Sequence, residues 1–415
     1  MAPPHAEQRA WSKAAILAIA FTTFLSSTAF YLNLPALPLY VAHLDRGHAT
    51  AWLGPIVGIT FLVSAVVNPF WGALADRFGQ HKMMLRAAGA VTLVYAFTPL
   101  ANTPLTFLVL RFFAGLASGY IPAATALLSK NVDDEQLGRA MSIMSVARNS
   151  GALVGPALGA LLLAGGTFNM VYESAAVIML LCFALTLLLP RATAPALEPR
   201  AVDRDLILGP FRSLGRGTTA TGMRPVLLVV LLTSMASAVV QMILPLQLAH
   251  GDRQGGRALA GIAFSIGGVA SLLTAYGWGW LTDKVGVRRL LPSVFGLGVV
   301  FGVAQSLSTS TWAILVSYTL YCIALCEVFT LLTVALTQTA PPETRGMTFG
   351  MNNTVTQLGQ AFGPAAAGFV VAASSLRAGI LLAVSMFVVA FIVTRHSFKE
   401  LQGKQSEEPA TSGAR

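Results

Sequence analysis

Glu327 is the only carboxylate deep inside any of the long apolar runs of this sequence, and Arg111 and Arg148 are the only guanidinium groups deep in such runs. A charge held among apolar residues is costly, so it usually faces a cavity or a partner and has a function. Desolvation favours the neutral form of a carboxyl group and a nearby guanidinium favours the anion. Glu327 can therefore take up and release a proton as its access to water alternates, with Arg148 or Arg111 adjusting its affinity. The competing reading is a permanent Glu–Arg pair that fixes helix packing. Arg111 lies roughly two turns into its run. At 1.5 Å per residue, Arg148 and Glu327 lie ~13 and ~16 Å from the ends of their runs that basic loops mark, which allows a shared network. Glu173, at the start of its run, reads as interfacial.

These groups must be positioned by membrane-spanning helices. Of 415 residues, 55% are hydrophobic and 11% charged, and mean hydropathy is +0.69. A soluble exterior needs far more polar surface. An outer-membrane barrel would show alternating polarity instead of long apolar runs. A run of ~20 apolar residues spans a bilayer, and twelve candidates are present: 14–41, 52–74, 85–101, 105–129, 140–165, 171–189, 226–249, 258–281, 290–307, 312–338, 347–372 and 378–393. The reading is an all-α membrane protein of twelve transmembrane helices in two six-helix bundles. Residues 1–13 form a tail, 14–189 the first bundle, 190–225 a polar linker, 226–395 the second bundle and 396–415 a second tail. The first run is too long for the core of a signal peptide and reads as a retained span.

The net charge of +10 fits topology-fixing residues better than a nucleic-acid surface. With the N-terminus inside, 21 Lys and Arg, Arg86 among them, fall on the inner side and four on the outer. That bias places both termini in the cytoplasm. Cys182, Cys322 and Cys326 all lie in apolar runs, and no His accompanies them as a metal ligand.

The two halves repeat. Gly72-Ala-Leu-Ala-Asp76-Arg77-Phe-Gly79 recurs 207 positions later as Gly279-Trp-Leu-Thr-Asp283-Lys284-Val-Gly286. Leu37-Pro38-Leu39 recurs at the same offset as Leu244-Pro245-Leu246, and Gly151-Ala-Leu-Val-Gly155-Pro156 recurs 208 positions later as Gly359-Gln-Ala-Phe-Gly363-Pro364. Parallel repeats of this kind are found in secondary transporters, with the substrate site between them. Gly72 is expected to allow close helix approach and Gly79 a tight reversal, while Asp76 suits a charged latch that holds one conformation. Gly151, Gly155 and Gly159 form a groove for a neighbouring helix, and Pro156 bends its span.

These motifs resemble the major facilitator superfamily, and within it the twelve-span drug:proton antiporters of the multidrug and tetracycline type. The loop 72–79 is similar to the family's signature between spans two and three, although Gln80 and His81 stand where two basic residues are usual. Gly151-x-x-x-Gly155-Pro156-x-x-Gly159 is similar to the exporters' antiporter motif, and Leu108-x-x-Arg111-x-x-Ala114-Gly115-x-x-x-Gly119 to the span-four motif, with Ala114 in place of Gln. Asn33-Leu-Pro35-x-Leu-Pro38 is a looser match in span one.

The resemblance implies that spans one, four, seven and ten line a central cavity. Asn33, Gln241, Phe30, Arg111 and Glu327 would then surround it, and Arg111 would take part in proton coupling. It implies export of small amphipathic compounds in exchange for protons by alternating access, from a bacterial cytoplasmic (inner) membrane. The cycle would run on the proton gradient with no cofactor, metal or nucleic acid, in a functional monomer surrounded by lipid. An exporter of a defined metabolite, such as a sugar or organic acid, is the alternative; Arg148 would suit an anion. A non-transporting membrane enzyme or sensor lacks support: there is no H-E-x-x-H, G-x-S-x-G or phosphate-cradling loop.

Overall fold

The computed structural model describes residues 13–45, 47–189, 223–249, 255–326, 328–339 and 345–407. Every regular element among them is helical. In chain order these are α1 (Lys13–Leu32), α2 (Ala36–Leu44), α3 (Ala49–Phe78), α4 (Gln80–Phe97), α5 (Pro104–Leu116), α6 (Tyr120–Asn131), α7 (Asp134–Gly165) and α8 (Phe168–Leu188). There follow α9 (Met223–Ala249), α10 (Gly255–Val285), α11 (Val287–Leu307), α12 (Thr311–Leu325), α13 (Val328–Thr339), α14 (Arg345–Ala373) and α15 (Leu376–Glu407). Ten of the apolar stretches are long enough to cross a membrane among the described residues, or eleven when the bent pair 259–274 and 276–282 is taken as one span. The chain is a multi-pass membrane protein. Helix α14 covers the remaining expected run, 347–372.

Three spans are divided among the described residues: span ten, between α12 at Leu325 and α13 at Val328, and spans one and four, each of these two for a local reason. In span one, α1 ends at Leu32 and α2 begins at Ala36 after Pro35, which has no N–H to continue the ladder. In span four, the break between α5 and α6 follows from Pro122. Its ring excludes the regular position of the Ser118 carbonyl, and it offers that carbonyl no N–H four residues on. Gly119 takes the turn at φ +111°, a left-handed conformation open to glycine. The start of α5 is closed by a capping box in which Thr103 and Thr106 satisfy each other's backbone N–H groups.

Contacts divide the chain into two compact units, residues 1–210 with 244–265, and residues 211–243 with 266–415. The first is centred on Tyr172, Phe107, Ile19, Leu32 and Met84, all essentially without exposure. Phe295 and Phe387 stack at 6.3 Å in the core of the second. Asp45, in the loop after span one, accepts from the N–H groups of Gly47 and His48 at 3.0 Å each. The His48 N–H, ahead of other contributions, holds its carboxyl below the ordinary aspartate range.

Candidate functional site

The signature loops reverse the chain in the same way in both halves. Gly79 and Gly286 have φ of +94° and +84°, and their N–H groups donate to Ala75 O at 3.0 Å and Thr282 O at 2.9 Å. Gly72 and Gly279 do not serve close helix approach, because a Cβ at either would meet nothing within 4 Å. Asp76 pairs with Lys130 at the end of α6, Nζ to Oδ1 2.7 Å, and accepts from Gln80 Nε2 at 3.0 Å. Gln80 thus supplies a neutral donor at one of the two positions where the resemblance leads one to expect a basic residue. Arg77 lies over the ring of Phe78, 5.2 Å from its centroid. The side chain of Asp283 lies outside the described residues.

With side-chain exposures of 45% and 56%, the Lys130–Asp76 pair contributes about 0–1 kcal/mol to stability. Asp76→Asn is therefore expected to insert and fold like the parent while export falls to a small fraction. Comparing membrane yield with dye export tests this, and parental export would remove Asp76 from the cycle.

The glycine stripe of α7 lies directly on the backbone of α1. A Cβ at Gly151 would come within 2.7 Å of Phe24 O and 2.9 Å of Thr28 N. One at Gly155 would come within 2.8 Å of Thr28 O and 2.9 Å of Tyr31 Cβ, and one at Gly159 would overlap Leu32 O. The second half repeats the contact: a Cβ at Gly359 would stand 2.8 Å from Leu231 O, and one at Gly363 2.8 Å from Met235 Cα. On another face of α7, a Cβ at Gly261 of α10 would collide with Ala160 and stand 2.9 Å from the Pro156 carbonyl. Span five is thereby held at backbone distance by two neighbouring helices.

Arg111 is buried, with 7% exposure, inside the first unit. Tyr95 and Tyr172 lie within its electrostatic reach. Tyr40, Phe107 and Tyr172 form an aromatic wall with centroids 5.1–6.0 Å apart. Asn33, 3% exposed at the break in span one, donates Nδ2 to Ala29 O at 2.8 Å and lies near Tyr95. Asn33 Oδ1, Arg111 Nε and the Tyr172 hydroxyl are buried without a hydrogen-bond partner among the described residues. Arg111 takes part in no ion pair among the described residues.

The structure therefore brings Arg111 and Asn33 into one cluster through Tyr95. Phe30 is half-buried and stands edge-on to Tyr31 and Phe61, at 5.3 and 6.2 Å. Arg148 is exposed on α7, within electrostatic reach of Tyr31. Gln241 is half-buried in the second unit. Glu327 lies outside the described residues. No His, Cys, Asp and Glu cluster suited to a metal occurs among the described residues. An apolar cavity of about 330 Å³ between Ala14–Thr22 and Leu185–Leu189 touches none of these groups.

Residues that the sequence reading passed over surround the break in span four. Trp71 Nε1 donates to Leu116 O at 2.9 Å, and Ser64 Oγ lies 3.3 Å from Gly115 O. Trp278 and Ser271, 207 positions later, donate to Ile323 O and Cys322 O at 2.8 and 3.1 Å. That shared offset was the signal available. Arg86, counted with the inner-side charges at the edge of the expected run 85–101, lies well within span three, which begins at Gln80 and ends at Leu100. Its guanidinium stacks 3.7 Å from the Trp71 ring centroid and donates to Leu116 O and Ser118 O at 3.2 and 2.7 Å.

The sequence profile of the Major Facilitator Superfamily matches residues 19–251 and 226–414. The chain is 30% identical over 380 residues to the multidrug resistance protein MdtG of Enterobacter lignolyticus, covering 88% of this chain and 87% of that protein. It is 31% identical over 382 residues to the MdtG of Serratia proteamaculans, covering 89% of each. A crystal structure of the nucleoside transporter NupG superposes with a TM-score of 0.75 at 14% identity, over 93% of this chain and 99% of that one. At that identity the likeness concerns the fold.

Proposed function

This chain belongs to the major facilitator superfamily, and from that premise we propose that it exports small amphipathic compounds in exchange for protons by alternating access. The observation that carries this reading is the antiporter-type stripe Gly151, Gly155 and Gly159, held at backbone distance on span one and repeated in the second half. Full-length similarity to proteins named for multidrug resistance supports it. The strong inner-side charge bias supports an inner-membrane protein with both termini in the cytoplasm. In this reading Asn33, Phe30, Gln241, Arg111 and Glu327 serve the substrate path, and the Asp76 and Asp283 loops act as latches. No cofactor is needed, because the proton gradient drives the cycle.

The protonic step falls to Glu327, with Arg111 and Arg148 as the cations that set its proton affinity. Water reaching it from one side loads a proton, and water reaching it from the other releases it. The test is expression in an efflux-deficient bacterial host, a growth screen against diverse toxins, and dye flux in everted vesicles under an imposed pH gradient. Glu327→Gln is expected to reduce pH-driven flux to the level of empty-vector vesicles while leaving energy-independent dye equilibration. Undiminished pH-driven flux in this variant would exclude Glu327 as the carrier. No protection against any toxin and no flux by the parent would sink the export reading itself.

A further inference from the structure

We propose that Arg86 is a positioning residue of the transport cycle: it clamps the break in span four, so that the segment bearing Arg111 and the segment bearing Lys130 move as one lever. The need for a clamp is written in the chain. Pro122 leaves the Ser118 carbonyl without its regular donor, and the turn at Gly119 takes the Leu116 carbonyl out of the ladder. Carbonyls left bare in an apolar interior are costly. Arg86 answers both with one planar group, NH1 to Leu116 O at 3.2 Å and NH2 to Ser118 O at 2.7 Å. Trp71 adds its own N–H to Leu116 O at 2.9 Å and lies under the guanidinium at 3.7 Å. Asn68 Oδ1 takes the Ser118 hydroxyl at 2.8 Å. Gly119 is confined as well, since a Cβ there would stand 3.3 Å from Arg86 NH2.

The second half offers a comparison, for its span ten is likewise divided, between α12 at Leu325 and α13 at Val328. The tryptophan recurs, as Trp278 donating to Ile323 O at 2.8 Å. The position 207 residues after Pro122 is Phe329, however, and that after Arg86 is Ser293. The arginine accompanies the proline, which leaves the Ser118 carbonyl without an N–H four residues on, whereas the divided span ten has neither residue at the matching positions. On either side of the clamped break lie Arg111, in the aromatic cluster, and Lys130, on Asp76. A break free to flex would let each end move without the other, whereas a clamped one passes displacement along the span. Lysine cannot replace the arginine, because one ammonium does not bridge two carbonyls and stack on an indole.

The transport part of this inference rests on the proposed export function, and the test separates the two. Full-length protein in lipid nanodiscs carries spin labels at Leu105→Cys and Ser129→Cys, both exposed at opposite ends of span four, in a background with Cys182→Ala, Cys322→Ala and Cys326→Ala. An unbroken helix would set their backbones ~36 Å apart, within range of pulsed dipolar spectroscopy. Arg86→Ala and Arg86→Lys are each expected to shift and broaden the distance distribution. Both are expected to lower maximal dye export about tenfold or more, with the concentration for half-maximal rate within about twofold of the parent. Arg86→Lys keeps the charge and serves if the alanine variant fails to fold. A distribution superimposable on the parent's would overturn the clamp, and a shifted one with parental export would overturn its part in the cycle. A parent that moves no dye would refute the export reading while leaving the distances to decide the clamp.

Discussion

Arg111→Met is expected to make the protein more stable and unable to transport. Arg111 is a permanent cation, 7% exposed, its Nε unpartnered, with no ion pair among the described residues. The aromatic rings of Tyr40, Phe107 and Tyr172 and the side chains of Tyr95 and Asn33 supply π faces and hydroxyl or amide dipoles, not a full opposite charge. Burying an ion costs several kcal/mol, and replacing buried ionic groups by apolar side chains of similar volume is often stabilising by about 1–4 kcal/mol. Met fills the volume of the arginine stem and removes the charge. Its thermal midpoint in detergent should rise by several degrees, while pH-driven export in vesicles drops to background. A residue that a fold keeps against its own stability is one that a cycle uses. A lowered midpoint would show that the arginine is structural, and parental export would show that the cycle does without it.

Gly155→Val is expected to fail differently, through geometry. The glycine meets Thr28 O, Leu32 N and Tyr31 Cβ, so that even a methyl group would stand 2.8–2.9 Å from backbone and side-chain atoms of α1. Overpacking of a close-fitted core costs about 1–3 kcal/mol, and here the obstructing atoms are backbone, which cannot rotate away. Span five would have to separate from span one along its length. Export should be lost, with a lowered thermal midpoint and reduced membrane yield. Gly72→Ala, where a Cβ would meet nothing within 4 Å, is the matched control and should keep its stability. If Gly155→Val exported like the parent, the backbone contact between spans five and one would have no part in the cycle.

The fold was legible wherever the sequence repeats itself. Gly151 meets Ser27 Cβ and Gly359 meets Ser234 Cβ, and both pairs are 207 or 208 positions apart, so the duplicated text became duplicated packing. Gly79 and Gly286 were recognisable as reversals because each sits next to charge at the end of an apolar run, and both take positive φ. Gly72 misled, since a glycine required by close packing and one facing open space read alike in a sequence. Arg86 misled for a related reason. It follows Arg77 and Lys82 closely enough to join a loop's charge count, and only the bare carbonyls three-dimensionally beside it explain its place within span three. The break in span four was written in Ser118-Gly119 and Pro122, but a hydropathy reading runs straight across it. The resemblance placed Asn33 and Arg111 around one cavity, but Tyr95, which lies near both, carries no mark in the sequence.

The most direct test of drug–proton exchange is a paired flux measurement on purified protein in proteoliposomes, with no other energy source than an imposed pH gradient. Dye should accumulate on the acidic side against its own gradient while the internal pH rises in step, and both should stop when an uncoupler is added. Dye movement that ignores the gradient, or a pH change that proceeds without dye, would contradict the account.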